Sequence, residues 1–209
     1  MQKKIVYFCI IFLVACASQP PLHLIDNLSD YQLRLLAISD WQLRGKIVVR
    51  SRGESDKAKF MWRNSEDAYK IRLSGALGMG TTYIKGDKKS VRLEQNGKAP
   101  VEASSPEQLV LDQLGRDIPI SHLHFWVRGL PTTEIKIDHI RYDDNGMIKQ
   151  LIQAGWILNY ESFSVNGEWN LPSKMTAIRE DIELELSVSK WTIDSNNLAL
   201  QSHNISFFQ

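Results

Sequence analysis

The chain reads as mainly β with a few helices, its strands forming one antiparallel sheet curled into a barrel or half-barrel. Three observations predict this. About ten segments alternate apolar and polar residues with period two. Compact turn sequences separate several of them. Helical spacing is confined to one segment in front and a pair midway. No linker, repeat or low-complexity stretch breaks the pattern, so residues 16–209 read as a single domain with a short N-terminal tether.

In chain order, Ser29 to Ser39 predicts a short helix with Ser29 as its N-cap, its apolar residues being Tyr31, Leu33, Leu35, Leu36 and Ile38. Alternation then begins. Trp41, Leu43, Ile47 and Val49 fall on odd positions, and Gly45 interrupts the series as a bend or bulge. Ala58, Phe60 and Trp62 share one parity, and Tyr69, Ile71 and Leu73 define the next strand. Tyr83–Lys85 and Val91–Glu94 flank the hairpin turn Gly86-Asp87-Lys88-Lys89.

In the middle, Ser105-Pro106-Glu107 supplies an N-cap, a first-turn proline and an acid at the positive helix end, and Gly115 stops the helix. A second helix starts at Ser121, carries Leu123, Phe125, Trp126 and Val127, and ends at Gly129-Leu130-Pro131. Strands resume at Ile135–Tyr142, turn through Asp143-Asp144-Asn145-Gly146, and continue at Met147–Gln153, Trp156–Phe163, Lys174–Ile178 and Ile182–Trp191. The polar stretch after Trp191, ending in Ile205–Phe208, stays open between a strand and a loose end.

The N-terminus has its own logic. Lys3 and Lys4 precede the apolar run Ile5–Ala15, which is too short to span a bilayer and suits the core of an export signal. Leu13-Val14-Ala15-Cys16 resembles the lipobox of bacterial lipoproteins. That resemblance implies removal of residues 1–15 as a lipoprotein signal peptide, a lipid on the Cys16 thiol and an acyl group on its new amine. Ala17, in place of an aspartate that would retain the protein at the inner membrane, favours the outer membrane by the same resemblance. Cys9 leaves with the signal, so no disulfide is open to the mature chain, and its core must hold it together. With 25 basic and 24 acidic side chains, there is no charge argument for a nucleic-acid partner.

Motifs for catalysis are missing. Gly75-Ala76-Leu77-Gly78-Met79-Gly80 matches neither a dinucleotide fingerprint nor a phosphate-binding P-loop. Its large apolar residues, Leu77 and Met79, sit where a glycine-flanked loop cannot bury them by itself. His122 and His124 are two apart, a poor chelating pair on a helix, and no cysteine or acidic cluster accompanies them, so no metal site is expected. Asp143 and Asp144 are explained by their turn. No Gly-x-Ser-x-Gly elbow and no cysteine beside a base is present, so the sequence gives no positive case for catalysis. The six tryptophans serve equally to fill a core or to wall a cavity for an apolar ligand.

Taken in order, Trp41-x-Leu43-x-Gly45, Phe60-x-Trp62, Tyr69-x-Ile71-x-Leu73 with Gly75-Ala76-Leu77-Gly78, Pro119-Ile120, Trp126-Val127-Arg128-Gly129-Leu130-Pro131, Gln153-x-Gly155-Trp156, Tyr160, Leu171-Pro172 and Trp191 resemble the LolB family. The resemblance implies an incomplete, half-open antiparallel barrel covered by short helices, with an apolar interior for acyl chains, and it implies neither a cofactor nor an enzyme activity. It implies a lipid-anchored, monomeric protein on the periplasmic side of the outer membrane of a Gram-negative bacterium. Its partners would be a LolA-like periplasmic lipoprotein carrier, acylated lipoprotein cargo and outer-membrane lipid. Leu77, helped by Met79, would enter the membrane, and Phe60, Trp62, Ile71, Trp126, Trp156 and Tyr160 would line the cavity. Ala76 stands where the family usually has proline. The rival readings are a structural lipoprotein scaffold with a dry core and a lipid-modifying hydrolase.

Overall fold

The computed structural model describes residues 28–75, 80–87 and 89–194. Helix α1 (Asp30–Leu36) leads into six strands: β1 (Trp41–Ser51), β2 (Glu54–Ser65), β3 (Ala68–Ser74), β4 (Thr81–Gly86), β5 (Val91–Gln95) and β6 (Val101–Ala103). Helices α2 (Pro106–Leu114) and α3 (Ile120–Trp126) follow. Then come β7 (Ile137–Tyr142), β8 (Ile148–Gln153), β9 (Trp156–Asn166), β10 (Trp169–Arg179) and β11 (Ile182–Ile193).

Among the described residues these eleven strands form one antiparallel sheet, ordered β6-β5-β4-β3-β2-β1-β11-β10-β9-β8-β7. The chain meanders outward from β1 to one edge, crosses to the other edge, and meanders back until β11 pairs with β1. Because β6 and β7 remain the two edges, the sheet is a half-open barrel. The crossing segment, which holds α2 and α3, passes over the inner face and covers it, with Val110, Ile120 and Leu123 buried there.

Local chemistry sets the helix boundaries. Ser29 caps α1 in a capping box: its hydroxyl accepts from the Gln32 N–H, and the Gln32 side chain accepts from the Ser29 N–H. The Ser105 hydroxyl accepts from the Gln108 N–H at 3.1 Å, Pro106 opens α2, and Gly115 closes it at φ 65°. In the β7–β8 turn, Asp143 Oδ1 accepts from the backbones of Asn145 and Met147, both at 2.9 Å.

Gly45 is the predicted irregularity. The β1–β11 register shifts between Arg44 and Gly45. A Cβ at Gly45 would collide with the Ser187 carbonyl and lie 3.0 Å from the Phe60 ring. Glycine therefore lets the sheet bend where Phe60 crosses it.

Two features depart from the sequence expectation. Strand β10 begins at Trp169 rather than Lys174. Pro172 lies inside it, and the register slips between Pro172 and Lys174, as a residue without an N–H requires. The three-residue β6 was not expected at all, and is too short to show a period.

Candidate functional site

The inner parity of β1 to β4 belongs to Trp41, Leu43, Phe60, Trp62, Ile71 and Ile84, each no more than 6 % exposed. Between this face and the α2–α3 cover lies a cavity of about 90 Å³. Ile47, Val49, Ala58, Phe60, Trp62, Ile71, Leu73, Ile84 and Leu186 border it from the sheet, and Val110, Ile118, Ile120 and Leu123 from the cover. Three charged residues, Asp56, Lys57 and Arg116, flank it toward the β1–β2 turn, with the Lys57 side chain on the outer parity of β2. Arg116, in the loop between α2 and α3, forms an ion pair with Asp56 and a longer one, at 3.4 Å, with Glu54. The next residue, Asp117, is paired with Arg179 on β10. The cover is thus fastened to the sheet on two sides. Among the described residues bordering the cavity there is no serine, threonine, cysteine or histidine, and most are aliphatic or aromatic.

The six residues expected to line a cavity separate into two groups. Phe60, Trp62 and Ile71 border it. Trp126, Trp156 and Tyr160 instead form a close-packed cluster outside it, each no more than 1 % exposed. The Trp126 and Trp156 rings lie 6.3 Å apart, and Tyr160 Oη donates to the Trp126 carbonyl at 2.9 Å. Gln153, fully buried, ties this cluster together: its Oε1 accepts from Trp126 Nε1 and the Thr132 N–H, and its Nε2 donates to the Thr132 and Ile135 carbonyls. All its hydrogen-bonding capacity is used, as a buried amide demands. The cover residues Val110, Ile118, Ile120 and Leu123 were not among those expected at the cavity, although the apolar content of the helical pair was the signal that pointed to them.

Next to the cavity, Trp41 and Trp62 pack at 5.6 Å, with His124 at 5.3 Å from Trp41 and 6.3 Å from Trp62. Burial, aided by the nearby Arg128 charge, pushes the His124 imidazole down to about 3. His122 packs instead on Trp126, at 5.5 Å. Arg128 is itself buried. Its guanidinium donates to the Leu35, Ile38 and His124 carbonyls and lies 5.6 Å from the Trp41 ring. It therefore fastens α1 to the end of the α3 segment. Among the described residues, the indole N–H groups of Trp41, Trp62 and Trp156 and the Tyr69 hydroxyl are buried with no hydrogen-bond partner.

Cys16, Leu77 and Met79 lie outside the described residues, as do the signal segment, the tether and the tail beyond Asp194. What is described is the frame of the glycine-rich loop. Gly75 and Gly80 have φ of 79° and 72°, and the Gly75 N–H donates to the Gly80 carbonyl at 3.4 Å. The left-handed backbone at both ends accounts for the two glycines.

Residues 39–191 match the family described as "Outer membrane lipoprotein LolB". An "Outer-membrane lipoprotein LolB" of Cellvibrio japonicus is 36% identical over 185 residues, covering 87% of this chain and 91% of the relative. A protein of the same description from Pseudomonas syringae is 34% identical over 198 residues, covering 91% of this chain and 96% of its own. Among solved structures, a LolA superfamily protein from Nitrosomonas europaea superposes with a TM-score of 0.51 at 8% identity, over 79% of this chain and 94% of that one. At that identity the likeness concerns the fold alone.

Proposed function

The chain belongs to the LolB family of outer-membrane lipoproteins, and from that premise we propose that it takes acylated lipoproteins from a LolA-like periplasmic carrier and places them in the inner leaflet of the outer membrane. The observation that carries this reading is the apolar cavity under the α2–α3 cover. An acyl chain leaving water gains about 0.8 kcal/mol per buried methylene, so a lipoprotein in transit needs an enclosed apolar surface at every stage. Phe60, Trp62 and Ile71 give the cargo chain its walls. A scaffold lipoprotein has no use for such a space, which is why transfer is the better reading.

At about 90 Å³ the cavity is smaller than the roughly 300–1,000 Å³ of sites that hold drug-sized ligands. Loading therefore requires the cover to lift. Cys16 anchors the body through its lipid, and Leu77 with Met79 contacts the bilayer during delivery.

The test is saturable binding of an apolar fluorescent dye, followed by acceptance of an acylated lipoprotein. Leu73→Asp places a carboxylate on the cavity wall and should lower dye affinity at least tenfold. Ile157→Asp, at a position 41% exposed, should leave it unchanged. If the folded protein shows no saturable dye binding, the transfer reading is wrong and the scaffold reading takes its place.

A further inference from the structure

The outer face of β1, β2, β3 and β11 carries a concentration of positive charge that folding alone does not explain. In the strand register Arg44 lies opposite Lys190, Lys46 opposite Lys59, and Arg63 opposite Lys70. All six side chains are exposed, on the face away from the cavity. Like charges directly opposite one another destabilise a sheet. Arg72 and Lys57 extend the same face, and among the described residues none of these eight forms an ion pair. Several cations on other parts of the sheet are paired: Arg50 with Glu183 and Glu185, Lys174 with Glu161, and Arg179 with Asp117. Even at the border of the patch, Glu94 is engaged by Lys85 and Arg92. With a formal net charge of only +1, the molecule has segregated its charges rather than accumulated them.

We propose that this face rests on the anionic phospholipid surface of the membrane to which the protein is anchored. Three observations favour lipid over an acidic protein. The patch is broad and follows the sheet, three like-charged rows spread over four strands, roughly 15 Å across, which suits a layer of headgroup phosphates. A shallow groove lined by Lys46, Lys57, Lys59, Ser74 and Gly75 joins it to the end of β3, where the glycine-rich loop begins. The family's outer-membrane location keeps a headgroup surface within reach at all times. Paired strand cations that repel one another in solution are relieved when phosphates lie between them, so the conflict within the sheet becomes attraction at the membrane. The proposal is independent of the cavity, since the patch lies on the opposite face.

Lys59→Cys provides the readout, with the full-length lipidated protein reconstituted into vesicles and a fluorophore on that thiol. Quenching by a headgroup-linked quencher should be several-fold stronger in phosphatidylcholine vesicles containing phosphatidylglycerol than in phosphatidylcholine alone, and should fall as salt is raised. A label at Val165→Cys, distant in the sheet order, should respond to neither. Adding Arg63→Gln and Lys70→Gln should weaken headgroup contact about fivefold for each cation removed, with dye binding in the cavity unchanged. Quenching at position 59 that is equal in both vesicle types and insensitive to salt overturns the proposal. So does a label left unquenched in both, which would assign the face to an acidic protein.

Discussion

His124 packs between Trp41 and Trp62 at the end of the cavity, and its pKa turns that packing into a pH dependence. The unfolded imidazole titrates near 6.5, and the folded one is pushed down to about 3 by burial and by Arg128. The native state therefore disfavours the proton. The stability tied to neutral His124 is complete above about pH 6.5 and is lost as the pH falls toward 3. Between pH 7 and pH 5 this residue should cost about 2 kcal/mol of unfolding free energy. Urea titrations should show that His124→Phe flattens the stability profile in this window; an unchanged slope would assign the acid sensitivity elsewhere. The second prediction at this scale concerns Leu77. A carboxylate in the headgroup boundary is strongly disfavoured, whereas acceptance of cargo takes place inside the body. Leu77→Glu should fold, accept lipoprotein from the carrier and fail to pass it to liposomes. Normal delivery by that variant, or unfolding before cargo binds, would remove Leu77 from the mechanism.

At the scale of elements, the transfer reading makes the α2–α3 cover the control on access. Its fastening through Arg116 to Asp56 and Glu54 lies where the charged residues meet the cavity, and Arg116 itself is only 11% exposed. Arg116→Gln should speed dye uptake several-fold while lowering stability by about 1 kcal/mol. Stopped-flow mixing checks this, and an unchanged uptake rate would mean that another contact holds the cover. The boundaries of α2 were readable because Ser105, Pro106 and Gly115 act within one helical turn of themselves. The start of β10 was not. Pro172 sits in that strand only because the β9–β10 register slips around it, an accommodation made by the neighbouring strand rather than by local sequence.

For the molecule as a whole, the anchor and the body are separate devices. Among the described residues no helix is long and apolar enough to cross a membrane. If Cys16 carries the lipid, Cys16→Ala should move the protein into the soluble periplasmic fraction, completely so after a high-salt wash that screens the basic face. Persistence at the membrane after that wash would count against the lipidation site. The body of that variant should still bind the apolar dye, because the cavity is built from residues well downstream of the anchor.

The order of charges, apolar run, small residue and Cys16 determined the export and anchoring reading by itself, since each step depends only on neighbours in the chain. The same holds for the caps of α1 and α2, the aspartate-led turns and the alternation that identified most strands. Tertiary structure decided the rest. Period two shows that a strand has two unlike faces, but only long-range pairing sets which face is covered and by what. It placed Phe60, Trp62 and Ile71 at the cavity, and drew Trp126, Trp156 and Tyr160 into a solid cluster around Gln153, although all six look alike in sequence. It also set Lys46 against Lys59 and Arg63 against Lys70. Residues many positions apart become like-charged neighbours only once the strands are in register, because the energy of that contact depends on distance in space and not on separation along the chain.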